Sequence, residues 1–517
     1  MAQAQLVQTV PLPPQISEQR HDWAIIGITA VVFASLSLWG AMTCSGFLEA
    51  DACTHYLYAR FALREHFYLV NVWGRPFCTA IYAIPAALGE RLGVRIASMV
   101  IALAIAALTM LIARRQKTRW PVLGFVFVLA QPLVFLHSFS ELTELPFALL
   151  LAVAFVCYQR RWWLAMTCVV AITPTSRPEG FGFLLLAALA LIAHRRWWWL
   201  AVLPLPLLIW DYAGWRLYGR PMYDDLLLGH ALPAAMRWIF WLKHEWPYAT
   251  ESAYTPGSLA HFLMLMPAVT SPLIFPAMCL GIWQSFCPIR RFFSDHLLRC
   301  QCLIAIIPLL IFLGHSLLYW RGKMASNGEL RYMLIVAPFW ALLAARGWEW
   351  MCEILRLRHP LRWGAVAALA PILTHFIYPV LPLQYSPDWR QAERIARWYQ
   401  HDALREKYPF VLTSHPAMLL FLDISISESG KARDWSKQTV ATPPPSTILI
   451  WDPSYSVYNS DKKRVVPLPE IIDAGWINVA DAERNAGIEL SMEDVHRPLR
   501  EQTHSWHIFL TPANSLP

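Results

Sequence analysis

Hydrophobic and polar positions in this chain alternate over the length of whole helices. Apolar runs recur from Trp23 to Leu381, separated by short polar stretches. Most approach the ~20 residues that a helix needs to cross a bilayer. The polar stretches are of two kinds, and they take turns. One kind is basic: Arg114/Arg115, Arg160/Arg161, Arg195/Arg196, Arg290/Arg291 and Arg346 with Arg356, Arg358 and Arg362. The other kind carries acids among polar residues, as in HSFSELTE and TPTSRPEG. Basic loops stay in the cytoplasm, so the acid-bearing loops belong outside.

The same rule decides an ambiguous segment. Pro76–Gly89 is apolar but short. If it spanned, the basic end of the next run, Arg95–Ala113, would face outside. It therefore reads as an interfacial helix. Residues 49–93 then form one external loop with two interfacial helices. The remaining runs give about eleven transmembrane helices, with the N-terminus cytoplasmic. After Leu381 the pattern changes. YSPDWRQAERIARWYQHDALREKY is amphipathic, with Ile395, Trp398 and Tyr399 on one face. FVLTSHPAMLLFLD and STILIWDP read as short buried strands. The expected organisation is a cytoplasmic tail (1–22), a transmembrane domain (23–382) and an external soluble α/β domain (383–517).

Composition agrees with a polytopic helical membrane protein. Of the 517 residues, 56% are hydrophobic and 15% charged, against about 25% charged in soluble domains. The 26 tryptophans suit membrane interfaces. The net charge of +8 is scattered in loop clusters, which argues against nucleic acid as a partner. Ten cysteines show no zinc spacing. Cys44, Cys53 and Cys78 share one expected external region, where a disulfide and buried free thiols are the two options.

An acid at a membrane edge is expensive unless paired or wetted, so it marks function by default. Glu49 and Asp51 in GFLEADACTHYLYAR are two residues apart. In an extended loop both face one side, and His55 follows Asp51 by one helical turn. A carboxylate there takes a proton from an acceptor hydroxyl or holds a divalent cation. The plain alternative is that Asp51 is an N-cap. Glu141 and Glu144 line a substrate or sit at a helix N-terminus for its dipole. Arg177, between prolines, holds phosphate or pairs with Glu179. Arg331, at the start of a span, holds a lipid phosphate or snorkels. Tyr223 and Asp224 add polar groups to a long external loop. His415 and Asp452 follow the two strands.

These residues, in this order, resemble the GT-C glycosyltransferases, and most closely the protein O-mannosyltransferase and aminoarabinose-transferase type. The resemblance rests on Glu49-Ala50-Asp51, the RPF…AIPAALG segment (Arg75–Gly89), Ser140–Glu144 and Glu329–Gly347, and covers residues 23–382. The chain lacks W-W-D-Y-G, which sets it apart from oligosaccharyltransferases. The resemblance implies transfer of mannose or another hexose or pentose, with inversion, from a polyprenyl-phosphate donor to a lipid, glycan or protein acceptor on the external or luminal face. Asp51 would be the base with Glu49 beside it; Arg331, Arg177 and Arg75 would hold donor phosphate; His55, Glu141, Glu144, Tyr223 and Asp224 would line the substrate. The resemblance fixes no cofactor, and a divalent cation (Mg²⁺ or Mn²⁺) is an option. The membrane is an inner, plasma or ER membrane. Two other classes compete: a transporter or lipid flippase, and a membrane-anchored binding protein working through residues 383–517.

Overall fold

The computed structural model describes residues 16–218, 239, 241, 256–287, 295–323, 326–357, 359–376, 381–401, 404–425, 432–433, 440–452, 454–457, 466–478 and 506–511. Helix α1 (Ile16–Thr43) leads through the EAD loop to α2 (Ala50–Phe61), and a short 3-10 turn follows before α3 (Pro76–Arg115). Then come α4 (Val122–Leu129), α5 (Pro132–His137), α6 (Glu144–Gln159), α7 (Trp163–Ile172), α8 (Gly180–Ala193) and α9 (Leu205–Tyr218). After the long loop lie α10 (His261–Thr270), α11 (Phe275–Phe286), α12 (His296–Arg321), α13 (Ala337–Ile354) and α14 (Pro360–Phe376).

The expected interfacial segment Pro76–Gly89 is the first half of a longer helix. Helix α3 is one element broken at Gly89 (φ −133°, ψ 16°) and Glu90 (φ 51°, ψ −139°). The first half meets α2, where Arg60 donates to Ala86 O, and α3 as a whole is long and apolar enough to cross a membrane. Among the described residues four helical stretches are long and apolar enough to cross a membrane: Asp22–Thr43, Pro76–Arg115, His296–Arg321 and Leu330–Ile354. Helices α10 and α11 make a fifth if taken together, although they meet at 111°. The expectation of about eleven spans therefore has four or five full-length counterparts, with shorter apolar helices such as α6 and α8 between them. A 16-residue helix such as α6 reaches only about 24 Å, but nearly all of α6 is buried. It is shielded by neighbours, not by lipid. Burial sorts the long helices too: 83% of the apolar window in Leu330–Ile354 is buried, against 28% in Asp22–Thr43 and 33% in His296–Arg321. The chain is built as an integral membrane protein with α4, α6 and α13 at its centre.

Small residues set the tightest contact in the bundle. A Cβ on Gly281 would lie 1.8 Å from the Leu343 carbonyl, and one on Gly347 would lie 1.8 Å from the Ala277 carbonyl. Helices α11 and α13 thus touch backbone to backbone, as small residues permit between membrane helices.

The C-terminal residues form a five-stranded sheet of order β2-β1-β3-β5-β4, comprising β1 (Phe410–Thr413), β2 (Ala432–Arg433), β3 (Thr447–Trp451), β4 (Ile477–Asn478) and β5 (His507–Leu510). Strands β2, β1 and β3 are parallel; β5 is antiparallel to β3 and β4. Alternation along the strands fills two faces. Val411, Ile448 and Ile450 pack against Ile395 and Tyr399 of the amphipathic helix α15 (Pro387–His401). Leu412, Leu449, Trp451 and Phe509 pack with Ile471 and Trp476 on the other face. One expected strand is corrected in part. Only FVLT is a strand; Pro416–Leu422 is a helix, α16. Pro416 pre-sets the first helical turn, and His415 caps it by accepting from the Ala417 amide at 3.1 Å. All ten cysteines are free. Cys44, Cys53 and Cys78 are buried thiols, so the disulfide option is not used.

Candidate active site

Four distant segments meet at one end of the bundle. The first is the EAD loop. Glu49, not Asp51, occupies the N-cap of α2, in extended conformation (φ −148°, ψ 161°), and its side chain makes no capping bond. The capping alternative for Asp51 is therefore corrected: both carboxylates turn to Arg331. Its Nη1 lies 2.8 Å from Glu49 and its Nη2 2.8 Å from Asp51. Its Nε pairs with Glu329 and stands 3.7 Å from Glu144. The second and third segments bring Glu144, the first residue of α6, and Arg177. Arg177 Nη1 donates to Glu144 at 2.5 Å and to Thr143 Oγ1 at 2.9 Å, while its Nε and Nη2 donate to Glu179. His315 Nε2 adds a 3.4 Å contact to Glu179 and stacks on Tyr332. The fourth segment is the turn carrying Glu329 and Arg331.

Five carboxylates (Glu49, Asp51, Glu144, Glu179, Glu329) thus surround two guanidinium groups. The excess of negative charge shows in Glu49. Burial pushes its carboxyl up to about 8, against the pull of Arg331 and with help from Glu329, Glu144 and Asp51. Glu179 goes the other way: burial resists, but Arg177 and His315 hold it well below the usual carboxylate range. Asp51 is the open member, 43% exposed at its side chain, whereas Glu144 is 1% exposed.

The other expected residues divide. His55 stacks on Trp73 with centroids 4.5 Å apart. Burial lowers its imidazole to about 4, against Asp51 and Glu144, so it is neutral at physiological pH. Arg75 takes an uncommon φ of 63° before Pro76, and its charge also bears on His55. Glu141 is not beside Arg331: it is 0% exposed and pairs with Arg95 Nε at 2.9 Å. The three remaining Arg95 donor contacts go to the carbonyls of Ala41, Cys44 and Gly46. Tyr223 and Asp224 lie outside the described residues. Among the described residues no group of three or more His, Cys, Asp or Glu side chains is placed to hold a metal ion.

No family model and no curated protein matches the sequence. Structures do. The chain resembles ArnT from Cupriavidus metallidurans bound to undecaprenyl phosphate, at 14% identity and a TM-score of 0.57, over 97% of this chain and 100% of ArnT. It resembles the apo state of the same protein at 12% identity and 0.56, over 96% and 99%. The fold is GT-C-like.

Within this GT-C-like fold, the loops with the acidic motifs and the turn of Arg331 share one end, and the arginine pairs ending α3 and α6 lie at the other. Sequence reasoning passed over His137. It ends α5, is buried, and brings Nδ1 to 3.8 Å from Glu144 Oε2. It sits inside the motif HSFSELTE, but no periodicity distinguishes it from a core histidine.

Proposed function

We propose that this protein is a glycosyltransferase using a polyprenyl-phosphate sugar, with Asp51 as its base. The observation that carries the reading is the sharing of one arginine, Arg331, by Glu49 and Asp51 at the rim of a GT-C-like bundle. The structural relative holds undecaprenyl phosphate, which supports the donor class. In the reaction, an acceptor O–H attacks the anomeric carbon. A C–O bond forms to the acceptor, the C–O bond to the phosphate breaks, and its electron pair leaves with polyprenyl phosphate. The acceptor proton passes to Asp51. Attack opposite the leaving phosphate inverts the anomeric centre.

The geometry adds a sequence of events. Without donor, Arg331 is saturated by carboxylates. An arriving phosphate competes for the same guanidinium, as charge-assisted recognition favours. Arg331 exchanges Asp51 for phosphate, and the freed carboxylate becomes available as base. Arg177, tied on three sides, keeps Glu144 and Glu179 in place and neutralises the floor of the site; Arg75 adds positive charge at the rim. The site then faces the exterior or lumen, because the arginine pairs at the far end mark the cytoplasm. The sugar is mannose or another hexose or pentose, and residues 383–517 form an accessory unit. A flippase would explain the 111° break between α10 and α11, but such carriers place their polar groups near the midplane, and here they gather at one end. The test is to incubate purified protein with a panel of polyprenyl-phosphate sugars and follow release of polyprenyl phosphate. Turnover of at least one donor is expected; an inert protein across the panel refutes the reading.

A further inference from the structure

The EAD loop does not stand alone: residues 45–53 run alongside the C-terminal unit. The Gly46 amide donates to Leu383 O at 3.0 Å, and Ser45 Oγ to Gln384 Oε1 at 3.0 Å. Phe47 packs on Trp389 with ring centroids 5.4 Å apart, and Cys53 Sγ lies 3.8 Å from Pro416 O. Pro416 and His415 follow β1 directly. Beside β1 runs β3, parallel, whose carboxyl end leads into Asp452 and the turn at 454–456. Strand β2 lies on the opposite side of β1. An order of 2-1-3 makes the β1/β3 carboxyl edge a topological switch point, where parallel sheets hold ligands in the crevice outside the strands. Here that edge abuts the first turn of α2, which bears Asp51.

The groups at this edge are polar and aromatic by turns. His415 Nε2 is 2.9 Å from Asp388 Oδ2, and Ser454 Oγ donates to the same oxygen at 2.7 Å. Ser414 Oγ and Ser456 Oγ are 2.9 Å apart. Asp452 accepts from the amides of Ser454, Tyr455 and Ser456, which fixes the turn that presents Tyr455. The Tyr455 ring lies 4.6 Å from His415, with Trp389 at 5.7 Å on the same imidazole. Burial first, and then neighbouring acids that include Asp388 and Asp51, push the Tyr455 phenol above its usual range. Its hydroxyl therefore stays a donor, within electrostatic reach of Asp51.

We propose that the carboxyl edge of β1 and β3 is the acceptor subsite, holding a carbohydrate head group through Tyr455, Ser454 and Asp388, with Trp389 against its apolar face, and delivering one hydroxyl to Asp51. A sugar offers several hydroxyls that donate and accept, plus C–H faces that pack on rings; a peptide side chain offers one hydroxyl. The proposal rests on the glycosyltransferase reading, and its test separates the two. Saturation-transfer NMR is run on the full chain in nanodiscs with methyl glucoside, methyl mannoside and methyl galactoside, and with a Ser/Thr-rich peptide. At least one glycoside should be saturated by wild type, and the effect should fall about fivefold in Tyr455→Phe and in Ser454→Ala, the scale of one neutral hydrogen bond. Both changes are small, and thermal unfolding confirms that the variants fold. Absence of saturation in wild type, an unchanged signal in both variants, or a preference for the peptide overturns the subsite. Donor turnover is measured on the same samples. A protein that releases polyprenyl phosphate but ignores glycosides loses the subsite only; one inert to every donor loses the glycosyltransferase reading itself.

Discussion

Replacing Asp51 by Asn separates folding from chemistry at this site. The Asp51 side chain is 43% exposed, and its ion pair is with Arg331 Nη2, at 2.8 Å. A partly exposed pair of this kind contributes about 0–1 kcal/mol. Asparagine keeps an oxygen for Arg331 to donate to, so the loss in stability should fall below about 1 kcal/mol. The loss in rate is of another order. A missing general base lowers turnover ~10²–10⁴-fold, equivalent to about 3–5 kcal/mol in the barrier. Glu144→Gln is the opposite case. Glu144 is 1% exposed and lies between Arg177 and Arg331; breaking such a buried pair destabilises by about 3–5 kcal/mol. The assay is release of polyprenyl phosphate, read beside thermal unfolding in the same detergent. Asp51→Asn should unfold like wild type and turn over at the background rate, while Glu144→Gln should unfold early. An Asp51→Asn protein working within a few-fold of wild type refutes the base assignment. One that no longer folds refutes the reading of its ion pair as weak.

Further outcomes follow from the same geometry. The Glu49 carboxyl is raised from 4.5 to about 8, so its stabilising contribution is full below 4.5 and lost as pH rises through about 8; unfolding temperature should fall across that window in wild type and stay flatter in Glu49→Gln. In Arg95→Lys, one ammonium replaces a fork that reaches Glu141 and three carbonyls. The carbonyls left unsatisfied should lower stability by about 1–3 kcal/mol each and, by loosening the EAD loop, depress kcat more than donor KM, read from steady-state kinetics. Gly281→Ala should separate α11 from α13 and lower the unfolding temperature, since overpacking typically destabilises by about 1–3 kcal/mol; Gly182→Ala, where a Cβ meets nothing within 4 Å, should be silent.

Sequence legibility differed between scaffold and site for a physical reason. Periodicity and charge report what faces lipid, water or core. They therefore located α1, the break in α3 and the amphipathic α15, whose Ile395 and Tyr399 are buried as expected. Run length served less well where helices are sheltered by one another, as α6 shows. At the site, residue type and position suggested Asp51, Glu49, Arg177 and Arg331, and the structure brings them together. What no local pattern carries is pairing. Glu141 and Glu144 are three residues apart in one motif, yet one faces Arg95 and the other Arg177 and Arg331. Strand β5 was missed altogether, because its partner β3 lies some sixty residues away in the chain and four residues give too short a pattern to stand out.

The span in sequence between partners also has a consequence in time. Asp51 and Arg331 are 280 residues apart, and Ser45 and Gln384 are 339 apart. A ribosome adding ~5–20 residues per second needs roughly 15–55 s to cover the first gap. Through that interval the nascent chain carries Glu49 and Asp51 at a membrane edge with their arginine still unmade. The site closes only when nearly all the helices are inserted. A chain arrested before residue 331 would present two bare acids to the insertion and proteolysis machinery, a mark that finished molecules no longer display.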